Sequence, residues 1–369
     1  YTAALEAARL GLHTAVVERR EVGGTCLNRG CIPTKTLLHA SQVYRDAVDG
    51  SPAGVHAGDI TFNLGEMFAY KRAVSEKLRG GIHALLKGAK VDLLEGTARI
   101  DAPGRVTVAG PEGDTVYTAD RILAATGSVP VRPPIPGLDL PGVMTSDELL
   151  EGSDTLYESL VIMGGGVIGV EFATFYSDLG CSVTLLEGMD RLLPTMDREL
   201  GQNLGQILKK QGVEVLTSAM VRRVEQTPEG LTVHVDQKGK EKAVSGEKVL
   251  CAIGRRPCWD GLFAPELVPE TRGRSLLVDE DFRTSIPGVY AIGDVSAVIQ
   301  LAHVAAAQGI ACVNRMCGRQ SATDLNVVPS CIYSSPEIAV VGLTEAEAKE
   351  AGIPVKVGKH VMFDNAKTL

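Results

Sequence analysis

The sequence lacks any run of about 20 apolar residues, the length that a membrane-spanning helix requires. It also lacks a charged segment followed by a short apolar run before the first motif, so no signal peptide is predicted. We therefore expect a cytoplasmic protein without a membrane partner. No dense cluster of Lys and Arg occurs, and 37 basic residues stand against 45 acidic ones, a net charge of -8. Nucleic acid is consequently a poor candidate as a partner, and small molecules are better ones.

Cysteine is too sparse, with 8 residues in a chain of 369, for the disulfide scaffold of a secreted protein. Most cysteines stand singly in apolar runs, as Cys181 and Cys251 do, and we interpret these as unreactive core thiols. No metal site is predicted. Aromatic residues make up only 4%, whereas glycine is abundant, with 41 residues, and short runs of Val, Ile and Leu recur. This composition favours an α/β protein of two or three domains with tight turns between strands and helices.

One pattern of a helix followed by a strand occurs twice. In EAARLGLHTAVVE (residues 6–18) and FYSDLGCSVTLLE (175–187), a predicted helix ends in Leu-Gly and an apolar strand ends in Glu. Glu18 of the first copy thus corresponds to Glu187 of the second. The offset of 169 residues places the counterpart of Gly169 just before the first residue of the chain. We therefore expect a fragment, truncated at both ends, whose first glycine motif is missing.

A glycine-rich motif stands between a predicted strand and the second of these helices. VIMGGGVIGVEF (residues 161–172) contains the spacing G-x-G-x-x-G. The first glycine permits a tight turn, the second lets the backbone approach a pyrophosphate, and the third lets the helix pack closely on the strand. The acid about 20 residues farther on accepts ribose hydroxyls and would repel a 2'-phosphate, so NAD is preferred to NADP. The predicted NAD-binding residues here are Gly164, Gly166, Val167, Ile168, Gly169 and Glu187.

Each half also contains a later strand that ends in a glycine turn, and a final strand delivers Gly293 and Asp294. The later strands lie in RILAATGS and KVLCAIGRRP. Paired with the first half, the Gly293-Asp294 turn marks a place for the ribityl chain of a second cofactor. These elements predict two nested Rossmann-like dinucleotide-binding modules followed by the start of an α+β domain. The predicted boundaries are 1–156 with 278–325 for the first module, 157–277 for the second, and 326–369 for the unfinished third domain.

Two cysteines stand five residues apart in GGTCLNRGCIPTK, residues 23–35. The neighbouring glycine and proline indicate that Cys31 lies where a helix begins, and a helix N-terminus stabilises a thiolate. Lys35 follows four residues later and lies on the same helical face. Because thiol-disulfide exchange needs one reachable sulfur and one that resolves the mixed disulfide, we assign the first role to Cys26 and the second to Cys31. The alternative is a pair of reduced core thiols.

The same spacing occurs a second time, at Cys312 and Cys317 in CVNRMC. This segment lacks the Gly-Gly, the Ile-Pro and the lysine, and it is predicted to lie in the middle of a helix, where a separation of five does not place side chains on one face. We predict redox function for the first pair and none for the second, because the context of the cysteines differs and their spacing does not.

Together the segments GGTCLNRGCIPTK, GGGVIGVE, AIGRRP, YAIGDV and SSPEIAVVGLTEAEA resemble the flavin disulfide reductases, over essentially the whole chain. The resemblance implies FAD in the first module, NAD in the second and a homodimer interface in the third domain. Within the family the segments are most similar to the enzymes that oxidise protein-bound dihydrolipoamide. This similarity implies the lipoyl domain of a 2-oxoacid dehydrogenase or glycine cleavage complex as a partner.

The resemblance also implies roles for single residues. Cys26 is similar to the interchange thiol, Cys31 to the thiol beside the flavin ring, Lys35 to the lysine near flavin N5, and Glu171 to the glutamate that pairs with this lysine. On the FAD side the implied positions are Glu18, Gly24, Thr25, Cys26, Lys35, Ala98, Thr126, Gly127, Ser128, Asp294, Leu301, Ala302 and His303. Val221, Gly254 and Arg255 are implied on the NAD side.

The sequence departs from the family at one point, and two other interpretations remain open. The family's catalytic base is a His followed by Pro and backed by Glu, but none of the seven histidines here precedes a proline. We therefore expect the redox core without its base. One alternative is an NADPH-linked reductase of glutathione or mercuric ion, against which Glu187 argues. The other is a scaffold that binds flavin and nucleotide without turnover, in which Cys26 and Cys31 would be idle.

Overall fold

The computed structural model describes residues 1–49, 54, 56–228, 230–296, 299–320, 324–325 and 327–366. The predicted domain boundary at residue 326 and the last residue, 369, lie outside this range. The helices are α1 (Thr2–Arg9), α2 (Gly24–Arg29), α3 (Cys31–Val48), α4 (Leu64–Gly88), α5 (Ser146–Leu149), α6 (Val167–Asp178), α7 (Arg198–Lys210), α8 (Ala302–Met316) and α9 (Glu345–Glu350). Short 3₁₀ turns occupy Gly293–Val295 and Met362–Asp364.

Helices and strands alternate along much of the chain, as in other α/β proteins. The strands are β1 (Ala15–Glu18), β2 (Asp92–Glu95), β3 (Thr97–Ala102), β4 (Arg105–Gly110), β5 (Gly113–Thr118), β6 (Ile122–Ala124), β7 (Ser128–Pro130), β8 (Val143–Thr145), β9 (Ser159–Met163), β10 (Ser182–Leu186), β11 (Glu214–Leu216), β12 (Ala219–Thr227), β13 (Gly230–Gln237), β14 (Lys240–Gly246), β15 (Lys248–Cys251), β16 (Arg255–Pro257), β17 (Thr271–Arg272), β18 (Ser275–Leu276), β19 (Val289–Ala291), β20 (Pro329–Ile332) and β21 (Ile338–Val341).

A five-stranded parallel sheet forms the centre of the second module. Its strand order is β11-β10-β9-β15-β8, with Val183 paired to Leu160 and Val249 paired to Val161. Because both faces of a parallel sheet are covered, its strands are continuously apolar, as SLVIM in β9 is. Ile162 enters the core shared with α6, and Val161 enters the core that lies under the meander β12-β13-β14.

The first module is built from parallel pairs and a second meander. β1 pairs with β2, β19 pairs with β6, and β3-β4-β5 form an antiparallel sheet. Helices α1 and α8 pack against each other. One antiparallel pair joins the two modules, since β7 belongs to the first and β16 to the second. The α/β fold class predicted from the sequence is therefore confirmed.

Helix α3 packs across both modules. Leu37 and Leu38 lie in the same buried core as Phe68 of α4 and Phe172 of α6. Burial of side chains of this size contributes roughly 2 kcal/mol each, which fixes the position of α3 against α6. The first turn of α3, with the cysteine motif, consequently lies beside the helix that starts the second glycine motif.

The C-terminal segment contacts the same core. Strand β20 pairs with β21, and Ile332 at its end is completely buried in the core cluster to which α3 and α6 contribute. Within the described part of the chain, no helix is long and apolar enough to cross a membrane.

Candidate active site

One continuous cavity of about 2730 Å³ runs between the modules. Of the residues singled out in the sequence, those that line it are Glu18, Gly24, Thr25, Cys26, Cys31, Lys35, Ala98, Thr126, Gly127, Ser128, Gly164, Gly166, Val167, Ile168, Glu171, Glu187, Val221, Gly254, Arg255, Asp294, Leu301, Ala302 and His303. Among the predicted binding and catalytic residues, Gly169 does not line the cavity and packs against Gly164 instead. The structure thus gathers into one space residues that the sequence separates by up to almost 300 positions.

The two motif cysteines form a disulfide whose Cα atoms are 4.6 Å apart. Cys26 lies in α2, and Cys31 is the first residue of α3, as predicted. Gly30 joins the two helices at a point of close approach, since a Cβ atom there would lie 3.1 Å from the carbonyl oxygen of Thr25. No acidic residue stands in the first turn of α3, so nothing on that turn opposes the attraction between the helix N-terminus and a thiolate on Cys31.

Lys35 and Glu171 form an ion pair within the cavity. The Lys35 Nζ donates to Oε1 of Glu171 at 2.7 Å and to Oε2 at 2.9 Å. The Glu171 side chain is 4% exposed and the Lys35 side chain 27%. Such a pair is retained at low exposure only when its hydrogen bonds are satisfied. The interaction predicted between α3 and α6 is therefore present, and it places a cation one helical turn from Cys31.

The second glycine motif has the geometry of a dinucleotide turn. A Cβ atom on Gly169 would come within 1.8 Å of the carbonyl oxygen of Gly164, so helix α6 can approach the turn only with glycine at this position. Glu187 is buried at the end of β10, where Oε2 accepts from the Gly165 N–H and Oε1 from the Met189 N–H, both at 2.7 Å. The acid therefore sits directly under the glycine turn.

Arg255, predicted on the NAD side, lies in a buried network with residues of the first module. Its Nε donates to Oγ of Ser128 at 2.9 Å, and one terminal nitrogen is 3.3 Å from Oδ1 of Asp147. The Ser128 hydroxyl in turn donates to Oδ2 of Asp294 at 2.6 Å. Arg255 thus holds Ser128 and, through it, the carboxylate of Asp294.

The start of α8 closes another part of the cavity. Leu301 is the N-cap residue, and Ala302 and His303 occupy the first turn. The His303 Nε2 lies 2.9 Å from the carbonyl oxygen of Pro329, so this ring holds the C-terminal segment against α8. A role of His303 in proton transfer gains no support from this contact.

The other cysteines are free thiols. Burial raises the pKa of both Cys181 and Cys312 to about 12 and also raises that of Cys251, which agrees with unreactive core thiols. The expectation that Cys312 and Cys317 both lie in the middle of a helix was wrong for Cys317, which is the C-cap residue of α8. The helix ends there because Gly318 follows with φ of +70°, a conformation that favours glycine.

Comparison with known proteins connects this geometry to a family. Residues 1–309 match the profile of the pyridine nucleotide-disulphide oxidoreductases, and residues 328–369 match the dimerisation domain of the same family. The chain belongs to this family. The fold class and the oxidoreductase activity predicted from the sequence are thereby confirmed.

Several named relatives of this oxidoreductase are dihydrolipoyl dehydrogenases. The one from Bacillus subtilis (strain 168) is 40% identical over 384 residues, which cover 100% of this chain and 80% of the relative. The one from Geobacillus stearothermophilus is 36% identical and covers 100% and 78%, respectively. Among solved structures, LpdA from Mycobacterium tuberculosis has a TM-score of 0.85 at 28% identity, and the HOCl-induced flavoprotein disulfide reductase RclA from Escherichia coli has 0.81 at 30%. These alignments cover 95% of this chain and 77% of each structure.

The cofactors of the oxidoreductase are FAD and NAD, and the residues present fit them. Gly24, Gly166 and Gly254 each present a bare backbone to the cavity, since an added Cβ atom would meet no other atom within 4 Å. Backbone left open in this way lets the phosphates and riboses of a dinucleotide approach closely. The role of each individual residue and the predicted domain boundaries remain predictions.

Sequence reasoning missed Tyr333, which also lines the cavity. Its backbone N–H donates to Oε1 of Glu171 at 3.1 Å, and the Lys35 Nζ lies 4.8 Å from its ring centroid. The segment SSPEIAVVGLTEAEA that follows it was recognised, but a tyrosine 162 residues from its partner carries no spacing signal. It becomes visible only when β20 is placed beside α6.

Proposed function

We propose that this oxidoreductase transfers two electrons from a protein-bound dihydrolipoamide to NAD through the Cys26–Cys31 disulfide and FAD. The observation that carries the proposal is the disulfide at the N-terminus of α3, within the cavity that also contains the Lys35–Glu171 pair and the glycine turn. Similarity to two dihydrolipoyl dehydrogenases, over 100% of this chain and about 80% of each relative, supports the choice of substrate.

The cysteine pair takes the electrons by thiol-disulfide exchange. One thiolate of the substrate attacks Sγ of Cys26, the bond between Cys26 and Cys31 breaks, and Cys31 leaves as a thiolate. The second substrate thiolate then attacks the substrate sulfur of the mixed disulfide and releases Cys26. Two electrons pass to the cysteines, which become thiolates, and the two protons of the substrate thiols pass to the solvent, so the substrate becomes a cyclic disulfide and the exchange balances.

Residues of the chain stabilise the charge that this exchange creates. The N-terminus of α3 favours the leaving thiolate of Cys31, and Lys35 adds a fixed cation on the same helix. Glu171 holds the Lys35 ammonium in place by two hydrogen bonds. FAD, when bound, supplies the two-electron step between the reduced cysteines and the nicotinamide. In this proposal Gly164, Gly166 and Glu187 bind the NAD.

The preference for NAD over NADP follows from the environment of Glu187. Its carboxylate is fixed by two backbone N–H groups and lines the cavity. A 2'-phosphate placed beside this carboxylate would be repelled, and compensation by Arg191 is limited because that side chain is occupied by Asp190 and the Pro194 carbonyl.

A homodimer and a lipoyl domain complete the proposal as partners. The match of residues 328–369 to a dimerisation domain supports the homodimer, and the substrate of the named relatives supports the lipoyl domain. The cytoplasmic location predicted from the sequence stays a prediction, as does the absence of a nucleic acid partner.

Anaerobic reductive titration of the FAD-loaded protein tests the redox centre. We expect uptake of four electrons per FAD, two by the cofactor and two by the disulfide, and uptake of only two by the Cys26→Ser variant. Uptake of two electrons by the unmodified protein would support the scaffold without turnover and overturn the proposal.

Stopped-flow reduction of the bound flavin tests the nucleotide. We expect NADH to reduce it faster than NADPH at equal concentration, and Glu187→Ala to narrow the difference. Faster reduction by NADPH would instead favour the NADPH-linked reductases of glutathione or mercuric ion.

A further inference from the structure

Tyr333 contacts both members of the buried ion pair. Its ring covers the Lys35 ammonium, with Nζ 4.8 Å from the ring centroid, and its backbone N–H donates to Oε1 of Glu171 at 3.1 Å. Cations are attracted to the face of an aromatic ring, and the attraction is larger where water is partly excluded. Lys35 is therefore held between a carboxylate and an aromatic face.

The chain on both sides of Tyr333 is fixed, so the ring is presented to Lys35 by a rigid support. Ile332 is completely buried and belongs to the core cluster that contains side chains of α3 and α6. On the other side, Oγ of Ser335 accepts from a terminal nitrogen of Arg45 at 2.8 Å, and Arg45 is paired with Asp178 at 2.9 Å. The same strand end thus lies against two ion pairs that join α3 to α6.

The hydrogen bonds of Glu171 indicate what the Tyr333 backbone N–H does. Oε1 accepts from both Lys35 and Tyr333, whereas Oε2 accepts from Lys35. The Tyr333 N–H therefore orients the carboxylate so that both its oxygens face the ammonium. The ring occupies another side of the same ammonium, which limits the directions in which the Lys35 side chain can move.

We propose that Tyr333 is a positioning residue that holds Lys35 at the redox site from the segment that matches the dimerisation domain. The inference rests on the proposed function, because the position of Lys35 affects turnover only if the cysteine pair and FAD exchange electrons beside it. It adds a link between the third domain and the redox centre, since Tyr333 lies within residues 328–369.

Replacement of the ring tests this role with a measurement that does not depend on turnover. Tyr333→Leu and Tyr333→Met remove the aromatic face and keep an apolar side chain, whereas Tyr333→Phe keeps the face. The rate at which an amine-specific reagent modifies Lys35 in the FAD-loaded protein is measured by peptide mass spectrometry, with the exposed Lys77 as internal reference. The midpoint potential of the bound flavin is measured on the same samples.

We expect Lys35 to be modified severalfold faster in Tyr333→Leu and Tyr333→Met, because the ring no longer shields the amine. We also expect a lower flavin potential in both, because a less well-held cation stabilises added electrons less. Tyr333→Phe should match the unmodified protein. So should Tyr70→Leu, which removes another exposed tyrosine, in α4 and outside the cavity.

One folded variant, Tyr333→Leu or Tyr333→Met, is enough to test the role of the ring. Thermal unfolding identifies a variant that is not folded. An unchanged modification rate or an unchanged potential after loss of the ring would overturn the inference. Failure of the proposed function is a separate result, because it would appear as two-electron uptake by the unmodified protein whatever the rate of Lys35 modification.

Discussion

The chain contains the same cysteine spacing in two helical regions, and only one of them forms a disulfide. Cys26 and Cys31 lie on either side of Gly30, at the junction of α2 and α3, and are bonded. Cys312 and Cys317 lie at the C-terminal end of α8 and are free. Five residues within one continuous helix cannot bring two sulfurs together, whereas a junction between two helices can.

The two regions also differ in their electrostatic surroundings. Cys31 meets the positive end of a helix dipole, with Lys35 one turn away, whereas Cys317 meets the negative end. Burial raises the pKa of Cys312 to about 12, which keeps that thiol protonated. The backbone and the nearest charges therefore decide which pair can exchange electrons, and the predictions below test this difference.

The largest effect is expected from removing one sulfur of each pair. Cys31→Ser abolishes the disulfide. We expect turnover with dihydrolipoamide to fall roughly 1000-fold or more, because the Cys26 thiol and the serine hydroxyl cannot together accept two electrons. Cys317→Ser should change turnover by less than about twofold, since its sulfur takes no part in exchange. Steady-state kinetics at saturating NAD measures both. A comparable loss of turnover in the two variants would contradict the conclusion that only the pair at the start of α3 has a redox function.

A second test compares the reactivity of the thiols after reduction of the disulfide. At pH 7 we expect iodoacetamide to alkylate Cys26 about 100-fold faster than Cys312, because only the thiolate reacts and burial disfavours it at Cys312. Peptide mass spectrometry after timed quenching gives both rates. Denaturation by guanidinium provides the control, since unfolding should bring the two rates close together. If Cys312 reacted as fast as Cys26 in the native state, burial would not protect its thiol and the two pairs would not differ in reactivity.

The lysine provides a third difference between the regions. Lys35→Met leaves the carboxylate of Glu171, which is 4% exposed, without its cation, and we expect a loss of about 2–3 kcal/mol in the free energy of unfolding. Urea denaturation measures this loss. The double variant with Glu171→Gln should recover part of the stability, because the unpaired charge is then gone. A cost equal in the single and double variants would mean that Lys35 contributes by packing rather than by charge.

Sequence reasoning predicted most of the fold and much of the site because the decisive signals were local. The turn at Gly164, the acid at Glu187 and the helix start at Cys31 each follow from residues within one motif and its neighbouring elements. Their convergence on one cavity was not predicted and is shown by the structure. Family resemblance supplied other positions, such as Ala98 and Thr126.

Contacts between distant elements could not be predicted in the same way. Arg255 is predicted on the NAD side and lines the cavity, and its contact with Ser128 across the pair β7–β16 was not predicted. Tyr333 contacts Lys35 and Glu171 because the segment after β20 lies against two helices that come from different modules. Neither contact is marked by a periodicity or a fixed spacing in the sequence. Both contacts depend on the packing of distant elements, which cannot be predicted from a single sequence.

The smallest expected effect concerns stability in alkaline solution and separates Cys312 from Cys317. Burial raises the pKa of Cys312 above its ordinary value near 9, to about 12. The folded state then retains a proton that the unfolded state has lost, so the stabilisation is complete below pH 9 and is lost as the pH rises from 9 to 12. The loss is about 1.4 kcal/mol per pH unit in this window.

Urea denaturation at pH 8 and pH 10 measures this loss. The free energy of unfolding should decline less for Cys312→Ala than for the unmodified protein, by about 1.4 kcal/mol. Cys317→Ala is the matched control and should decline as the unmodified protein does, because it removes a thiol near the end of the same helix and keeps Cys312. An equal decline in all three proteins would mean that Cys312 is not held protonated by its burial, and the two cysteine pairs would then differ only in backbone geometry, helix dipole and the presence of Lys35.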